Sequence, residues 1–230
     1  MKKNLRIISQ VLLSLSPSFY YLALWPSLPE QVPTHFNAHM QADDYGSKTE
    51  MMVLLLFIAA VSFGVNLLIT NMNRYDPKQR IAANSSLMIK FSWALTLFLT
   101  AISFFVVYQM NVSLGTQATA APTSSPKYLV MLMGLLFAVI GNFMHSLKPN
   151  YFVGIRTPWN LEDEDNWRKT HQLASRLWFY GGLIIAASSL FVPPAYTFLC
   201  LAIGLPPLAV IPFVHSYQLF RKKKQNQTLE

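Results

Sequence analysis

Six long apolar runs set the main constraint on what this chain can fold into. Each is close to the roughly 20 residues that a helix needs to cross a bilayer. The runs lie at about 5–25, 51–70, 88–108, 127–146, 177–193 and 195–214. Only 12% of the residues are charged and 53% are hydrophobic, so too few charges exist to cover a soluble fold of this length. The sequence therefore predicts an all-α membrane protein with six transmembrane helices.

The positive charges between the runs predict the orientation in the membrane. With the N-terminus in the cytoplasm, 16 of the 18 Lys and Arg residues fall in cytoplasmic segments, and only Lys48 and Lys127 fall outside. Cytoplasmic segments of membrane proteins are enriched in Lys and Arg in this way. We therefore predict that both termini and the connection 141–171 are cytoplasmic. Orientation also explains the net charge of +8 without direct nucleic-acid binding.

The first predicted outer loop, residues 26–50, is rich in proline and contains an Asp-Asp-Tyr-Gly turn signal. We expect it to be extended and irregular, because proline disfavours helix. His35 and His39 would share one side of a helix as metal ligands, but in such a loop a solvated or hydrogen-bonded pair is favoured over a metal site. The candidate binding residues of this loop are Pro33, His35, Asn37, Asp43 and Lys48.

The connection 141–171 holds more polar and aromatic chemistry than a simple linker needs. Pro149, Gly154 and Pro158 exclude a continuous helix across its centre, so we predict a structured turn. The residues leave two interpretations open, an anchor at the membrane surface and a binding surface for a partner or a peptide. The candidates for that binding surface are Asn142, His145, Lys148, Asn150, Gly154, Arg156, Thr157, Pro158, Trp159, Trp167 and His171.

The helices on either side of this turn carry further signals. Asn142 and His145 share one face of the fourth helix, and we predict that this face points inward. Asn160 has the position of an N-cap before the acidic run 162–165, which a helix N-terminus favours. Apolar and aromatic residues follow at helical spacing, and they are Trp167, His171, Ala174 and Trp178. We therefore predict a short amphipathic helix before the fifth transmembrane helix.

Glycines in the fourth and fifth predicted helices indicate close helix packing. Gly134 and Gly141 are seven positions apart and lie on one helix face, while Gly181 and Gly182 lie in the next helix. A glycine lets a neighbouring backbone approach closely in a membrane. We expect these helices to be neighbours.

The sequence contains no assembled set of catalytic or metal-binding residues. Cys200 is the only cysteine, which excludes an intramolecular disulfide and a cysteine metal site within one chain. The acids at 162–165 have a structural explanation, and no second carboxylate or histidine cluster joins them. We predict neither an enzyme nor a bound cofactor or metal.

Three stretches form long compound patterns. They are LPEQVPTHFNAHMQADDYGSK at 28–48, GNFMHSLKPNYFVGIRTPWNL at 141–161 and NWRKTH at 166–171. Together with the six runs, they resemble the SdpI-type immunity family of bacterial multi-pass membrane proteins, whose members are often preceded by a domain of unknown function. Met40 and Ala42 depart from the Gly and Pro that the family would place in the outer loop. Asn160 stands where the family would have Thr, and His145 stands where the family would have Met or another residue.

The resemblance implies a domain organisation and a function. The domains would be a two-helix unit at 1–75 with its outer loop at 26–50, an SdpI-like four-helix region at 84–220 and a basic cytoplasmic tail at 221–230. The implied function, in the bacterial cytoplasmic membrane, is protection against a secreted membrane-active peptide toxin. Sequestration of a cytoplasmic winged-helix repressor would accompany it.

A small-solute transporter or channel is the alternative function. It is suggested by Asn66, by Asn142 with His145, and by the prolines that would break the sixth helix. No inverted repeat is visible in the sequence, which weighs against this alternative.

Overall fold

A computed structural model describes residues 3–75, 80–115 and 126–227. Seven helices and two strands position everything that follows. The helices are α1 (Lys3–Leu24), α2 (Lys48–Asn71), α3 (Ser85–Gly115), α4 (Lys127–Met144), α5 (Pro158–Glu162), α6 (Glu164–Phe191) and α7 (Thr197–Gln227), and the strands are β1 (Gln31–Phe36) and β2 (Ala42–Ser47). The predicted ranges 1–75 and 221–230 extend beyond the described residues at 1–2 and 228–230.

Six of the described helices are long and apolar enough to cross a membrane, and they confirm the six predicted runs. Successive long helices run in opposite directions, because the start of α1 meets the end of α2 and the start of α4 meets the end of α6. Arg6 donates to Thr70 across the first pair, and Lys127 donates to the Leu190 carbonyl across the second. Both ends of the described chain therefore lie at one end of the bundle. The cytoplasmic position of that end stays a prediction.

The helices pack in two groups. Helices α1, α2 and α3 contact one another, α6 packs between α4 and α7, and α3 joins the groups by its contact with α4. The α4–α6 contact confirms the packing expected from glycine. A Cβ atom on Gly134 would lie 2.6 Å from the Ala186 backbone nitrogen, and one on Gly182 would lie 2.5 Å from that of Ala138. The two backbones touch, as small residues allow in membrane helices.

A β-hairpin covers the end of the bundle where α1 finishes and α2 starts. Strands β1 and β2 pair antiparallel, so the expectation of an irregular loop is wrong although its extended backbone is confirmed. Pro33 has no N–H to donate, and it lies beside an irregularity in the strand register, where a sheet tolerates proline. Val32 of β1 is fully buried with Tyr21 and Met51 in an apolar cluster, which fixes the hairpin onto the helices.

The turn of the hairpin is built around Asn37. Its side-chain oxygen accepts from the backbone N–H groups of His39 and Gln41, at 2.9 and 3.1 Å. Met40 has a φ of 59°, in the left-handed region that favours glycine. The family resemblance placed a glycine near this position, and the backbone explains that preference. In this chain the Met40 side chain is buried instead.

The segment after α4 differs from the prediction in one respect. A separate amphipathic helix before the fifth transmembrane helix is absent from the described residues, because α6 runs without a break from Glu164 to Phe191. Only the five-residue α5 precedes it. The expected interruption of the last helix is also not seen, since α7 contains Pro206, Pro207 and Pro212 within one continuous helix.

Candidate functional site

The segment between α4 and α6 folds around the side chain of Asn150. This side chain is fully buried, and its amide group donates to the carbonyls of Lys148 and Val153. Its oxygen accepts from the backbone N–H groups of Phe152 and Val153, at 2.9 and 2.8 Å. Asn150 thus replaces the backbone pairing that a helix or strand would have supplied.

Gly154 and His171 form the next layer. Gly154 has a φ of 113°, and a Cβ atom there would lie 2.5 Å from His171 Nε2. The close approach allows the Ile155 N–H to donate to His171 Nε2 at 3.1 Å, while His171 Nδ1 lies 2.8 Å from the Trp167 carbonyl oxygen. Because the amide can only donate and the carbonyl can only accept, His171 is neutral with its proton on Nδ1.

Trp167 lies beneath this layer and is 1% exposed. Its indole N–H donates to the Leu147 carbonyl at the end of α4, at 2.7 Å, and its ring stacks on His171 with centroids 4.0 Å apart. The predicted stripe does lie on a buried face of α6, where Trp167 and His171 are both 1% exposed. The polar atoms of both aromatic residues, however, hold the turn in place.

A second set of buried polar groups ties the turn to α7. Ser216 accepts from the Trp159 indole N–H at 2.9 Å and donates to Asn166 at 3.1 Å. Asn166 in turn donates to the Ser216 carbonyl at 3.0 Å, and its oxygen also accepts from Thr170. Thr157 Oγ1 lies 3.5 Å from Ser216 Oγ. We call residues 147–160, with Asn84, Asn166, Trp167, Thr170, His171 and Ser216, the polar clamp.

The polar clamp also reaches the other helix group through Asn84. Its amide nitrogen donates to the Lys148 carbonyl at 3.1 Å, and its oxygen accepts from the Lys148 N–H at 2.9 Å. Asn84 lies directly before α3 and is buried. The polar clamp therefore joins the start of α3, the end of α4 and the start of α6 to Ser216 within α7.

The prediction that Asn142 and His145 face inward is wrong. Both residues are exposed, because the face of α4 that packs on α6 carries Gly141 and Met144. His145 Nδ1 lies 3.0 Å from the Asn142 carbonyl oxygen, and its Nε2 lies 2.9 Å from Ser146 Oγ. Neither side chain joins the polar clamp.

Local contacts neutralise two of the four acids at 162–165, Asp163 and Asp165. The N-cap of α6 is Asp163, not Asn160 as predicted, and Asp163 accepts from the N–H groups of Asp165 and Asn166. Lys223 of α7 donates to Asp163 at 2.9 Å. Desolvation alone would raise the pKa of Asp163, but the Lys223 hydrogen bond and the two backbone donors hold it below the ordinary 3.8. Asn160 is buried and donates to the Ile155 carbonyl.

Asp165 forms ion pairs with Arg168 and Lys169, which lie three and four positions further along α6. Glu162 and Glu164 are exposed and form no ion pair within the described ranges. Two negative charges therefore remain available at the surface of this region.

The remaining candidates of the turn lie at its surface. Arg156 is exposed and donates to the Tyr151 carbonyl, and Lys148 and Pro158 are also exposed. The Trp159 ring contacts three aromatic side chains of α7, Phe213, Tyr217 and Phe220. Trp159 is thus an anchor on α7 as well as part of the polar clamp.

The hairpin candidates lie together at the opposite end of the bundle. His35 Nδ1 and Asp43 Oδ1 are 2.6 Å apart and solvent-exposed, across the strand pair. Lys48 forms an ion pair with Glu30 at 2.9 Å and lies over the Trp25 ring. Pro33 is buried, and Asn37 shapes the turn. Across residues 3–75, 80–115 and 126–227, no three His, Cys, Asp or Glu side chains come close enough to hold a metal ion.

Sequence reasoning missed Asn84, Asn166, Thr170 and Ser216 as parts of one network. Asn84 and Ser216 had a usable signal, because a polar residue at the edge of an apolar run most often bonds a neighbouring helix. No spacing rule connects the members of this network, since Asn166 and Ser216, which bond each other, are 50 positions apart.

Comparisons with known proteins agree with the motifs. Residues 146–216, which contain most of the polar clamp, match the SdpI/YfhL protein family, and residues 12–60, which contain the hairpin, match a domain of unknown function, DUF1648. The chain is also 25% identical over 224 residues to the immunity protein SdpI of Bacillus subtilis (strain 168), covering 96% of this chain and 98% of that protein. No solved structure matches the chain.

The six apolar helices and this relative together make the chain a multi-pass bacterial membrane protein, as predicted. The resemblance to the SdpI-type family is confirmed as well, since the chain carries both an SdpI/YfhL segment and the DUF1648 segment that precedes it.

Proposed function

We propose that this protein is an immunity protein that protects the cell carrying it against a secreted membrane-active peptide. The observation that carries the proposal is the similarity to an immunity protein along nearly the whole of both chains. A match of that extent covers the helices, the hairpin and the polar clamp together. Similarity along the whole of both chains supports a shared role better than a single matching motif would.

The hairpin is the surface that we assign to the peptide. Its described acids are Glu30, Asp43, Asp44 and Glu50, and its described cation is Lys48, so the hairpin carries net negative charge. Asp43 and Asp44 are exposed on β2. A cationic peptide approaching the outer face would be attracted by this charge, and electrostatic complementarity acts chiefly on encounter rate and specificity.

Challenge of a sensitive bacterium tests the proposal. Cells expressing the protein and cells with an empty vector are exposed to purified cationic membrane-active bacterial peptides, with the protein level in the membrane measured in parallel. We expect a raised inhibitory concentration for at least one peptide. The double variant Asp43→Asn/Asp44→Asn should lower that protection about tenfold, the effect of about 1.4 kcal/mol in binding. Undiminished protection by this variant would exclude the hairpin surface.

The second part of the proposal is capture of a cytoplasmic winged-helix repressor, which the family resemblance implies. The exposed, unpaired Glu162 and Glu164 beside the polar clamp favour it, since a DNA-binding protein offers a basic surface. Fluorescent fusions of the host's winged-helix repressors are scored for movement to the membrane. Glu162→Gln/Glu164→Gln should abolish that movement and leave peptide protection intact. The hairpin double variant should do the opposite, so each variant serves as the control for the other.

The transporter alternative loses the observations that suggested it. Asn66 donates to Thr96 at 2.9 Å within the helix bundle, Asn142 and His145 are exposed, and α7 is continuous. Solute flux into proteoliposomes, compared with that of an Arg156→Ala variant, remains the direct test of that alternative.

A further inference from the structure

A cleft with two cations lies at the end of the bundle that holds the N-terminus, between α1, the end of α2 and the start of α3. It has a volume of about 300 Å³. Its polar lining consists of Lys3, Arg6, Thr70 and Ser85, and Ile81 and Met88 are among the apolar residues beneath. No acidic side chain lines the cleft in the part of the chain that the structure describes.

Arg6 is only partly satisfied by the protein. Its Nη2 donates to Thr70 Oγ1 at 3.3 Å, while its Nε is buried and has no hydrogen-bond partner within the described residues. A guanidinium carries several N–H donors and cannot lose its charge in a protein. A buried donor of a charged group without an acceptor is costly, so an acceptor from outside the chain would stabilise this arrangement.

The other polar groups of the cleft suit the same kind of ligand. Lys3 lies one helical turn before Arg6 on α1, which brings a second positive charge to the cleft. The Thr70 hydroxyl already accepts from Arg6, so its own hydrogen is free to donate to a ligand oxygen, and the Ser85 hydroxyl lies in the same lining. Two cations with two hydroxyl donors match the oxygen atoms of a phosphate group.

From this geometry we infer that the Lys3–Arg6 cleft binds a phosphate group, either the headgroup of an anionic phospholipid or a free phosphate. The site lies away from the hairpin and shares no residue with the polar clamp, although Ile81 and Met88 pack in one apolar cluster with Leu147 and Trp167. The inference does not depend on the proposed function. The positive-inside prediction would place it at the cytoplasmic membrane surface, where anionic headgroups are abundant. The apolar lining by Ile81 and Met88 is compatible with the upper part of a lipid chain.

Native mass spectrometry of the full chain in detergent tests the inference. The purified protein is mixed with phosphatidylglycerol or with diacylglycerol, which lacks phosphate, and inorganic phosphate is added as a competitor. We expect one phosphatidylglycerol to be retained per chain and no diacylglycerol. Displacement of the lipid by inorganic phosphate, or stabilisation by phosphate alone, would identify the phosphate group itself as the ligand, whereas retention unaffected by phosphate would identify a lipid headgroup.

Matched variants separate a built site from general attraction to positive charge. Arg6→Gln should reduce phosphatidylglycerol retention about tenfold, the usual effect of one charge-assisted hydrogen bond. Arg221→Gln removes the same charge from an exposed position of α7 and should change retention less than twofold. Equal losses in the two variants, or the absence of both lipid and phosphate binding, would overturn the inference. Lys3→Gln, at an exposed position near the chain end, provides a second test if Arg6→Gln does not fold, with an expected loss of about threefold.

Discussion

The two ends of this helix bundle are closed in different ways. At the polar clamp, the buried side chains of Asn150, Asn166 and His171 bond backbone groups of the turn and of α7. At the hairpin, two strands pair through their backbones, and the polar side chains at Asp43 and His35 stay in solvent. Buried networks are costly to disrupt, whereas exposed pairs contribute little to stability. The clamp is therefore built for rigidity, and the hairpin leaves its charges available to a partner.

Replacing Trp167 should give the largest effect and should separate the ends most clearly. Trp167→Ala removes a fully buried ring and leaves the Leu147 carbonyl without its donor, so we expect a loss of about 3–5 kcal/mol in unfolding free energy. Thermal or denaturant unfolding in detergent measures it. Phe191→Ala, at a position 85% exposed, is the control and should change stability by less than about 0.5 kcal/mol. If Trp167→Ala lowered the unfolding free energy no more than Phe191→Ala, the polar clamp would not be the rigid end of the bundle.

Gly154→Ala tests the polar clamp without removing a side chain. The φ of 113° and the 2.5 Å approach to His171 predict a loss of about 1–3 kcal/mol. Gly64→Ala is the matched control, because no atom lies within 4 Å of a Cβ there and Gly64 is inside α2. Alanine favours helix over glycine, so the control should be neutral or slightly stabilising. Equal behaviour of the two variants in an unfolding assay would contradict the role given to Gly154.

Gln109 provides a stability test at the hairpin end of the bundle. It is buried in α3 near the hairpin end, and neither its amide nitrogen nor its oxygen has a hydrogen-bond partner in the described residues. An apolar side chain of similar shape removes that penalty, so Gln109→Met should stabilise the protein by about 1 kcal/mol. The same change at Asn150, where all the bonds are made, should instead destabilise it. A destabilising Gln109→Met would show that this amide has a partner beyond the described residues.

Asp43→Asn should change stability very little, because the His35–Asp43 pair is exposed. We expect less than about 0.5 kcal/mol in the same unfolding assay. Any larger effect on peptide protection would then report on binding and not on folding. Should unfolding change by as much as in the Gly154→Ala variant, the division between a rigid and an accessible end would fail.

The smallest effect concerns Asp163 and pH. Its folded pKa lies below the ordinary 3.8, so its stabilising contact with Lys223 is present above that value and is lost as pH falls through the folded pKa. Hydrogen exchange at the end of α7, corrected for intrinsic rates, should accelerate only in this acidic range. Asp163→Asn can still cap α6 but forms no ion pair, so its exchange should lose this pH dependence. Unchanged dependence in this variant would assign the transition to another group.

Hydropathy alone located the six helices, since each apolar run is close to the length that a helix needs to cross the bilayer. Glycine positions also predicted the α4–α6 contact, because no larger residue permits it. The hairpin was not predicted, because proline is unfavourable inside a regular strand. Strand β1 accommodates Pro33 because it lies beside an irregularity in the strand register. The hairpin turn lacks the Asn-Gly or Asp-Gly signal and uses Met40 in a left-handed conformation.

The sequence identified the region that contains the polar clamp but not the hydrogen bonds that form it. The motif showed that residues 141–171 hold unusual chemistry, yet helix faces depend on which neighbours are present. His145 was therefore placed inside and His171 only on an apolar stripe. Two of the bonding residues, Asn84 and Ser216, lie outside this stretch, and only the packing of α3, α6 and α7 brings them to it.

The contact of Gly134 with Gly182 has a mechanical consequence. Each backbone lies within 3 Å of where the other's Cβ would be, so little space remains between α4 and α6 at this contact. Helices α4 and α6 form one closely packed pair that extends from the polar clamp towards the other end of the bundle. We therefore expect α4 and α6 to tilt together against α1, α2 and α3, the helices that carry the hairpin.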